Sequence, residues 1–78
     1  MTTSVLRRLF LRGEIFGTVN IQMKGSSEAS LTFIDFLKDY DYAIDDEFGI
    51  LIITNREETR KFIVDVSEIS AIYCERRA

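Results

Sequence analysis

The sequence predicts an α+β domain of antiparallel strands around one helix, in the order β-β-α-β-β-β, and three observations carry that prediction. From Ile15 the odd positions are Ile15, Gly17, Val19, Ile21 and Met23, and the even ones are mostly polar, a period of two that marks a half-buried strand. Phe33, Ile34, Leu37, Tyr40 and Ile44 recur near helical spacing, with Thr32, Asp35, Lys38, Asp39 and Asp41 filling the other face, as in an amphipathic helix. Ile50-Leu51-Ile52-Ile53 is a continuous apolar run, the pattern of a strand covered on both faces.

The elements follow in order. Leu9, Phe10 and Leu11 precede Gly13-Glu14, so residues 7–12 and 15–24 are read as a hairpin. Leu6, Leu9 and Phe10 also fit one face of a short helix behind Thr2, Thr3 or Ser4 as caps, which is the competing reading. Lys24-Gly25-Ser26-Ser27-Glu28 is a loop. The helix is placed at about 29–40, capped by Ser26, Ser27 or Ser30, with Glu28 favoured by the amides of its first turn. Its end is poorly made, because Asp39 and Asp41 put anions at the negative end of the dipole. Residues 48–54 and 60–66 form a second hairpin across the polar Asn55–Thr59 connection. Ser67-Glu68 then interrupts the chain before a final strand, Ile69 to Glu75.

The run Lys61-Phe62-Ile63-Val64-Asp65-Val66-Ser67-Glu68-Ile69-Ser70-Ala71-Ile72 has a sharp break between its last two strands. In this it resembles the end of a small SH3-like or Sm-like barrel, where one tight helical turn separates strands four and five. Gly13-Glu14-Ile15-Phe16-Gly17-Thr18-Val19 is similar to the opening Sm strand, in which glycine lets a strongly bent strand turn a corner. The resemblance implies a small, strongly bent antiparallel sheet or barrel. It does not carry over RNA-binding residues: the Asp-x-x-Asn-type segment is missing after Met23, and no Arg/Lys-Gly dipeptide precedes Asp65.

With 78 residues and no Pro-, Gly- or Ser-rich divider, residues 1–78 are read as a single domain. A chain of this length buries only about 60% of its unfolded surface, so self-association is expected. The formal charge is −3, the wrong sign for a surface that grips nucleic acid throughout. The charges are polarised: Arg7, Arg8, Arg12 and Lys24 against Glu14 give residues 1–24 a charge of +3, whereas 35–47 hold six acids against Lys38, or −5. No run approaches the roughly 20 apolar residues of a membrane span or forms a secretory leader. One cysteine fits a reducing compartment, and a cytoplasmic location is expected.

Histidine is absent, which removes His-based triads and His metal sites. The sequence also lacks a Gly-rich phosphate loop, a G-x-S-x-G elbow and a lysine in an apolar setting, so catalysis is not expected and no cofactor or metal is assigned. Asp39, Asp41, Asp45, Asp46 and Glu47 offer hard oxygen ligands, but Ala43 and Ile44 stand where an EF-hand frame from Asp39 needs a ligand and a glycine. Asp35, although beside Phe33, Ile34, Phe36 and Leu37, falls on the polar face and is read as surface. Cys74 is read as a small apolar residue packed beside Ile72. Phe33, Phe36, Tyr40, Tyr42, Phe48 and Phe62 are assigned mainly to the core.

Two surfaces remain. Pairing of strands 7–12 and 70–76 would crowd Arg7, Arg8, Arg12, Arg76 and Arg77 into an anion or partner site. The acidic segment Asp39, Asp41, Asp45, Asp46 and Glu47 is the other candidate face. The leading expectation is a non-catalytic module that self-associates through exposed strand edges and binds an unidentified protein or small anionic ligand. The alternative is an acidic inhibitor or nucleic-acid mimic acting on a basic protein surface. Sm-like binding of nucleic acid or nucleotide through the terminal arginines is third.

Overall fold

Thr2 opens the first element. Its carbonyl accepts the first intrahelical bond, from the Leu6 N–H at 3.1 Å, and its hydroxyl accepts from the Val5 N–H at 3.3 Å, meeting a donor that the first helical turn leaves unpaired. The computed structural model, which describes residues 1–11, 17–25 and 30–75, places helix α1 at Thr3–Leu11. The expected strand at 7–12 is therefore corrected to the competing helix. Leu6 and Phe10, four residues apart, are 0% and 4% exposed, a burial that a strand alternating at every second residue could also mark but that here belongs to one helix face.

Strand β1 (Thr18–Met23) lies inside the expected 15–24 and buries Val19 and Ile21. It pairs antiparallel with β2 (Ser30–Phe33) on one side. The expected helix at 29–40 is not formed. Ser30–Phe33 are strand, with Val19 opposite Phe33 and Ile21 opposite Leu31, and the chain then turns through Asp35 at φ 53° into a four-residue helix, α2 (Phe36–Asp39). The near-helical spacing arose because both Phe33 and Phe36 reach the core from either side of that corner, while Ile34 between them is exposed.

Tyr40–Asp45 form β3, Ile50–Asn55 β4 and Lys61–Asp65 β5, paired antiparallel in the order β3-β4-β5. The hairpin expected at 48–54 and 60–66 is thus present. Asp45 Oδ1 accepts from the Glu47 and Phe48 amides at 2.9 and 3.1 Å, and Gly49 at φ +65° completes the β3–β4 turn, a conformation that costs glycine little. Val66–Glu68 make one 3-10 turn, capped by Asp65, before β6 (Ile69–Glu75). β6 pairs with β1, giving a second sheet of order β2-β1-β6. The pairing expected between 7–12 and 70–76 is corrected accordingly: β6 takes β1 because 3–11 is helical.

The architecture is α+β, with two antiparallel three-stranded sheets and one main helix, and neither sheet closes on itself. The observed order is α-β-β-α-β-β-β, a 3-10 turn and β. Rings join the two sheets: Phe33 of β2 meets Phe62 of β5 and Tyr40 of β3 edge-on, each at 5.2 Å between centroids. Phe10 of α1 meets Tyr42 at 4.6 Å and Phe36 at 5.8 Å, separations in the range that favours tilted aromatic pairs. Phe48, expected mainly in the core, is instead exposed in the β3–β4 turn. The Cα radius of gyration is 11.8 Å.

Candidate interaction surface

Of the expected arginine cluster, Arg7 and Arg8 fall among the described residues. Arg7 lies on α1 and donates to Asp46 Oδ2 at 2.7 Å and to the Ile44 carbonyl at 3.3 Å, so it fastens the helix to the end of β3. Arg8 is exposed on the same helix. Arg12, Arg76 and Arg77 lie outside the described residues.

The acidic segment is distributed over three kinds of local structure. Asp39 ends α2, and its carbonyl accepts from the Arg56 N–H at 2.9 Å. Asp41 on β3 pairs with Arg56 Nη1 at 2.9 Å, Asp45 holds the β3–β4 turn, Asp46 pairs with Arg7, and Glu47 is exposed. Arg56 also donates through Nε to the Lys38 carbonyl at 2.8 Å and through Nη2 to the Leu37 carbonyl at 2.7 Å. One guanidinium therefore neutralises a carboxylate and meets carbonyls that a four-residue helix leaves open. Sequence reading passed over Arg56, because it sits in a polar connection whose only visible signal is its place between two hairpin strands.

Asp65 accepts from the Ser67 hydroxyl at 2.7 Å and the Ser67 amide at 3.0 Å. These bonds, the hydroxyl first, hold its carboxyl below the usual carboxylate range against a small opposing effect of desolvation. Cys74 is exposed, which corrects its expected packing beside Ile72: the last three residues of β6 are all exposed.

Each sheet ends in strand edges, and their hydrogen-bonding direction is legible for β5. Asn55 N–H donates to the Arg60 carbonyl at 3.2 Å and Val66 N–H to the Gly49 carbonyl at 2.9 Å, which fixes which opposed pairs carry the ladder. Ile53/Phe62 and Leu51/Val64 are the bonded pairs between them. The backbone groups of Lys61, Ile63 and Asp65 consequently point away from β4, along an open edge. By contrast, the edge of β3 is engaged by α1 through Arg7. β6 forms the edge of the other sheet next to the 3-10 turn.

The same alternation sorts side chains. Tyr42, Ile44, Leu51, Ile53, Phe62 and Val64 face or pack against the core. Ala43, Ile52 and Ile63 form one row across the opposite face, where Ile63 is 65% exposed. The expectation that Ile50–Ile53 is covered on both faces is corrected: Leu51 and Ile53 are fully buried, and Ile50 and Ile52 are half-buried on the outer face. Beside this row is a depression of about 510 Å³ lined by Asp41, Thr54, Glu58, Thr59, Arg60 and Lys61. Its mixed charges hold no convergent donor set.

Among the described residues no cluster of three or more His, Cys, Asp or Glu side chains could hold a metal ion, and no helix is long and apolar enough to cross a membrane. No family model, curated protein or solved structure matches this chain.

Proposed function

We propose that this chain is a small non-catalytic module that associates with itself through open strand edges and presents the resulting assembly to a protein or small anionic ligand. The observation that carries the reading is the β5 edge: β5 ends the strand order β3-β4-β5, and the backbone groups of Lys61 and Ile63 point away from β4. An open edge of this kind is a template for another strand. Its side chains, Lys61, Ile63 and Asp65, include two charges but also an exposed isoleucine, so the edge is only partly protected against pairing.

In the same reading the two sheets are the halves of a strongly bent SH3-like or Sm-like barrel, with the 3-10 turn of Val66–Glu68 at the corner between β5 and β6. A reducing compartment such as the cytoplasm suits an exposed Cys74 with no second cysteine in the chain. The acidic-mimic alternative is less favoured, because Asp41 and Asp46 are already paired with Arg56 and Arg7.

Light scattering on a sizing column at tens of micromolar tests the proposal, with amide exchange on the same samples. A dimer or larger species with slowed exchange at the Ile63 N–H is expected, since an outward edge amide is protected only when a strand pairs with it. A monodisperse 9.0 kDa species with fast exchange at Ile63 would overturn it.

A further inference from the structure

Along the β5 edge the outward positions read Lys61, Ile63 and Asp65: a cation, an isoleucine that is 65% exposed, and an anion. Phe62 and Val64 turn their backbone groups to β4, so the groups of Lys61 and Ile63 and the Asp65 N–H are those that a further strand would meet. The Asp65 carbonyl is outside that set, because Asp65 caps the 3-10 turn of Val66–Glu68 and its carbonyl accepts the turn's first bond. A lysine on an edge strand commonly guards against pairing. Here an opposite charge stands four residues further on, so the effect of the lysine depends on the direction of the incoming strand.

We infer that β5 pairs antiparallel with β5 of a second copy, about a two-fold axis through Ile63, with Lys61 opposite Asp65 of the second copy and Ile63 opposite its own counterpart. This rests on the proposal of association through open strand edges, and adds to it the partner strand, its direction and its register. The symmetry makes the Lys–Asp pair twice, one on each side of the Ile–Ile pair. Four backbone hydrogen bonds close the ladder: the two Ile63 residues exchange a pair, and each Asp65 N–H donates to the Lys61 carbonyl opposite. Phe62 lies opposite Val64 of the second copy, an aromatic against a β-branched side chain on the core side. Asp65 can serve its own turn and the lysine together, because the Ser67 amide and hydroxyl both bond Oδ1 and neither uses Oδ2.

Other pairings lose this match. A shift of two residues keeps the backbone groups in phase but sets Lys61 against Ile63, or Ile63 against Asp65. A shift of four sets Lys61 on Lys61 or Asp65 on Asp65, which repel. A shift of one residue brings the groups that already serve β4 to the new ladder and exchanges the two faces. Parallel pairing in register places each charge beside its like. The two charges therefore select one register and one direction, where two lysines or two aspartates would have closed the edge to pairing.

The contact is short. Its four backbone bonds compare with about ten direct bonds in a standard interface, so the association belongs to the weak class and is read from about ten to several hundred micromolar.

Sedimentation equilibrium over that range tests it, with circular dichroism on each variant and isotope-filtered NMR on a mixture of labelled and unlabelled wild type. The inferred register makes Phe62 and Val64 of the second copy a pair without hydrogen bonds, their Cα atoms about 4.5 Å apart, so an intermolecular Hα–Hα contact between these residues is expected. Lys61→Asp turns both attractive pairs repulsive and is expected to weaken association about tenfold or more, and Asp65→Lys to do the same. The two variants mixed in equal amounts are expected to associate within about threefold of wild type, since every opposed pair is again unlike. Asp65→Lys also gives up the Ser67 bonds; Lys61 is exposed, so Lys61→Asp and the Hα contact decide the matter where Asp65→Lys unfolds.

If wild type associates while Lys61→Asp matches it and the Phe62–Val64 contact is absent, the β5 register is overturned and association through another edge keeps the broader reading. A mixture of the two folded variants that associates no better than either alone overturns the Lys–Asp pairing. A wild-type monomer at every concentration overturns both readings.

Discussion

Docking of α1 is the part of the fold that the two sequence readings of residues 3–11 separate most sharply, and Leu6→Ala measures it. Leu6 is fully buried on the helix face that also carries Phe10. Truncation to alanine removes three carbons. At about 0.8 kcal/mol for each buried methylene-sized group the transfer loss alone is ~2.4 kcal/mol, and the unfilled cavity raises it to about 3–5 kcal/mol. A domain of this length holds only about 4–12 kcal/mol in total. The variant should therefore melt ~12–40 °C below wild type, using 4–8 °C for each kcal/mol at this size. Alanine itself favours the helix, so local propensity opposes the loss by only a few tenths of a kcal/mol. The assay is urea denaturation followed by circular dichroism, with Arg8→Ala as an exposed control on the same helix, expected within about 0.5 kcal/mol of wild type. A Leu6→Ala variant as stable as that control would mean the helix does not cover the core, and the burial of Phe10 against Tyr42 and Phe36 would have to be abandoned with it.

Two further outcomes follow from individual contacts. Arg56→Ala removes the Asp41 pair and the bonds to the Leu37 and Lys38 carbonyls; since its side chain is 54% exposed, the charge-assisted bonds are discounted to a total of about 1–2 kcal/mol, read by urea denaturation, and a loss below ~0.3 kcal/mol would remove its strapping role. Asp65→Asn tests the depressed carboxyl: a folded pKa below the unfolded one gives stability that is present above the unfolded value and lost as pH falls through the folded one, so wild type should exceed the variant at neutral pH and the two should converge in the acid range below pH ~4, whereas a gap that persists unchanged at pH 2 would assign the difference to amide geometry.

What was legible in the sequence was periodicity over paired strands. Val19 and Ile21 alternate with polar neighbours because one face of β1 meets the core, and Phe62 and Val64 do the same on β5. The 3-10 turn was readable as a break because Ser67 and Glu68 interrupt two apolar runs, with Asp65 available to cap. The helix placed at 29–40 failed for a specific reason. Phe33 and Phe36 are three apart, as on a helix, but they reach the core from two elements that meet at a corner. Positive φ at Asp35 makes that corner, and Asp is among the few non-glycine residues that adopt it readily. Nothing in a window of apolar spacings distinguishes a turned corner from a helical turn.

The candidate surfaces were less legible because they depend on what lies opposite, and opposition is tertiary. Arg7 and Asp46 are 39 positions apart, and their pairing withdrew one member from each surface that composition had suggested. The Arg56 strap depends on the carbonyls of Leu37 and Lys38, which the sequence reading had placed in the last turn of a helix at 29–40, where open carbonyls are expected but nothing in the spacing says which side chain meets them.

The run Ile50–Ile53 carries the argument furthest. A strand with protein on both faces and a strand with protein on one face and apolar residues on the other have the same sequence signal, four apolar residues in a row. Leu51 and Ile53 face the aromatic core, so the run's remaining members, with Ala43 and Ile63 beside Ile52, face outward with no element of the described chain to cover them. α1 is committed to the opposite side through Leu6 and Phe10. The apolar run therefore carries the signal of a doubly covered strand, although among the described elements only its Leu51 and Ile53 face is covered.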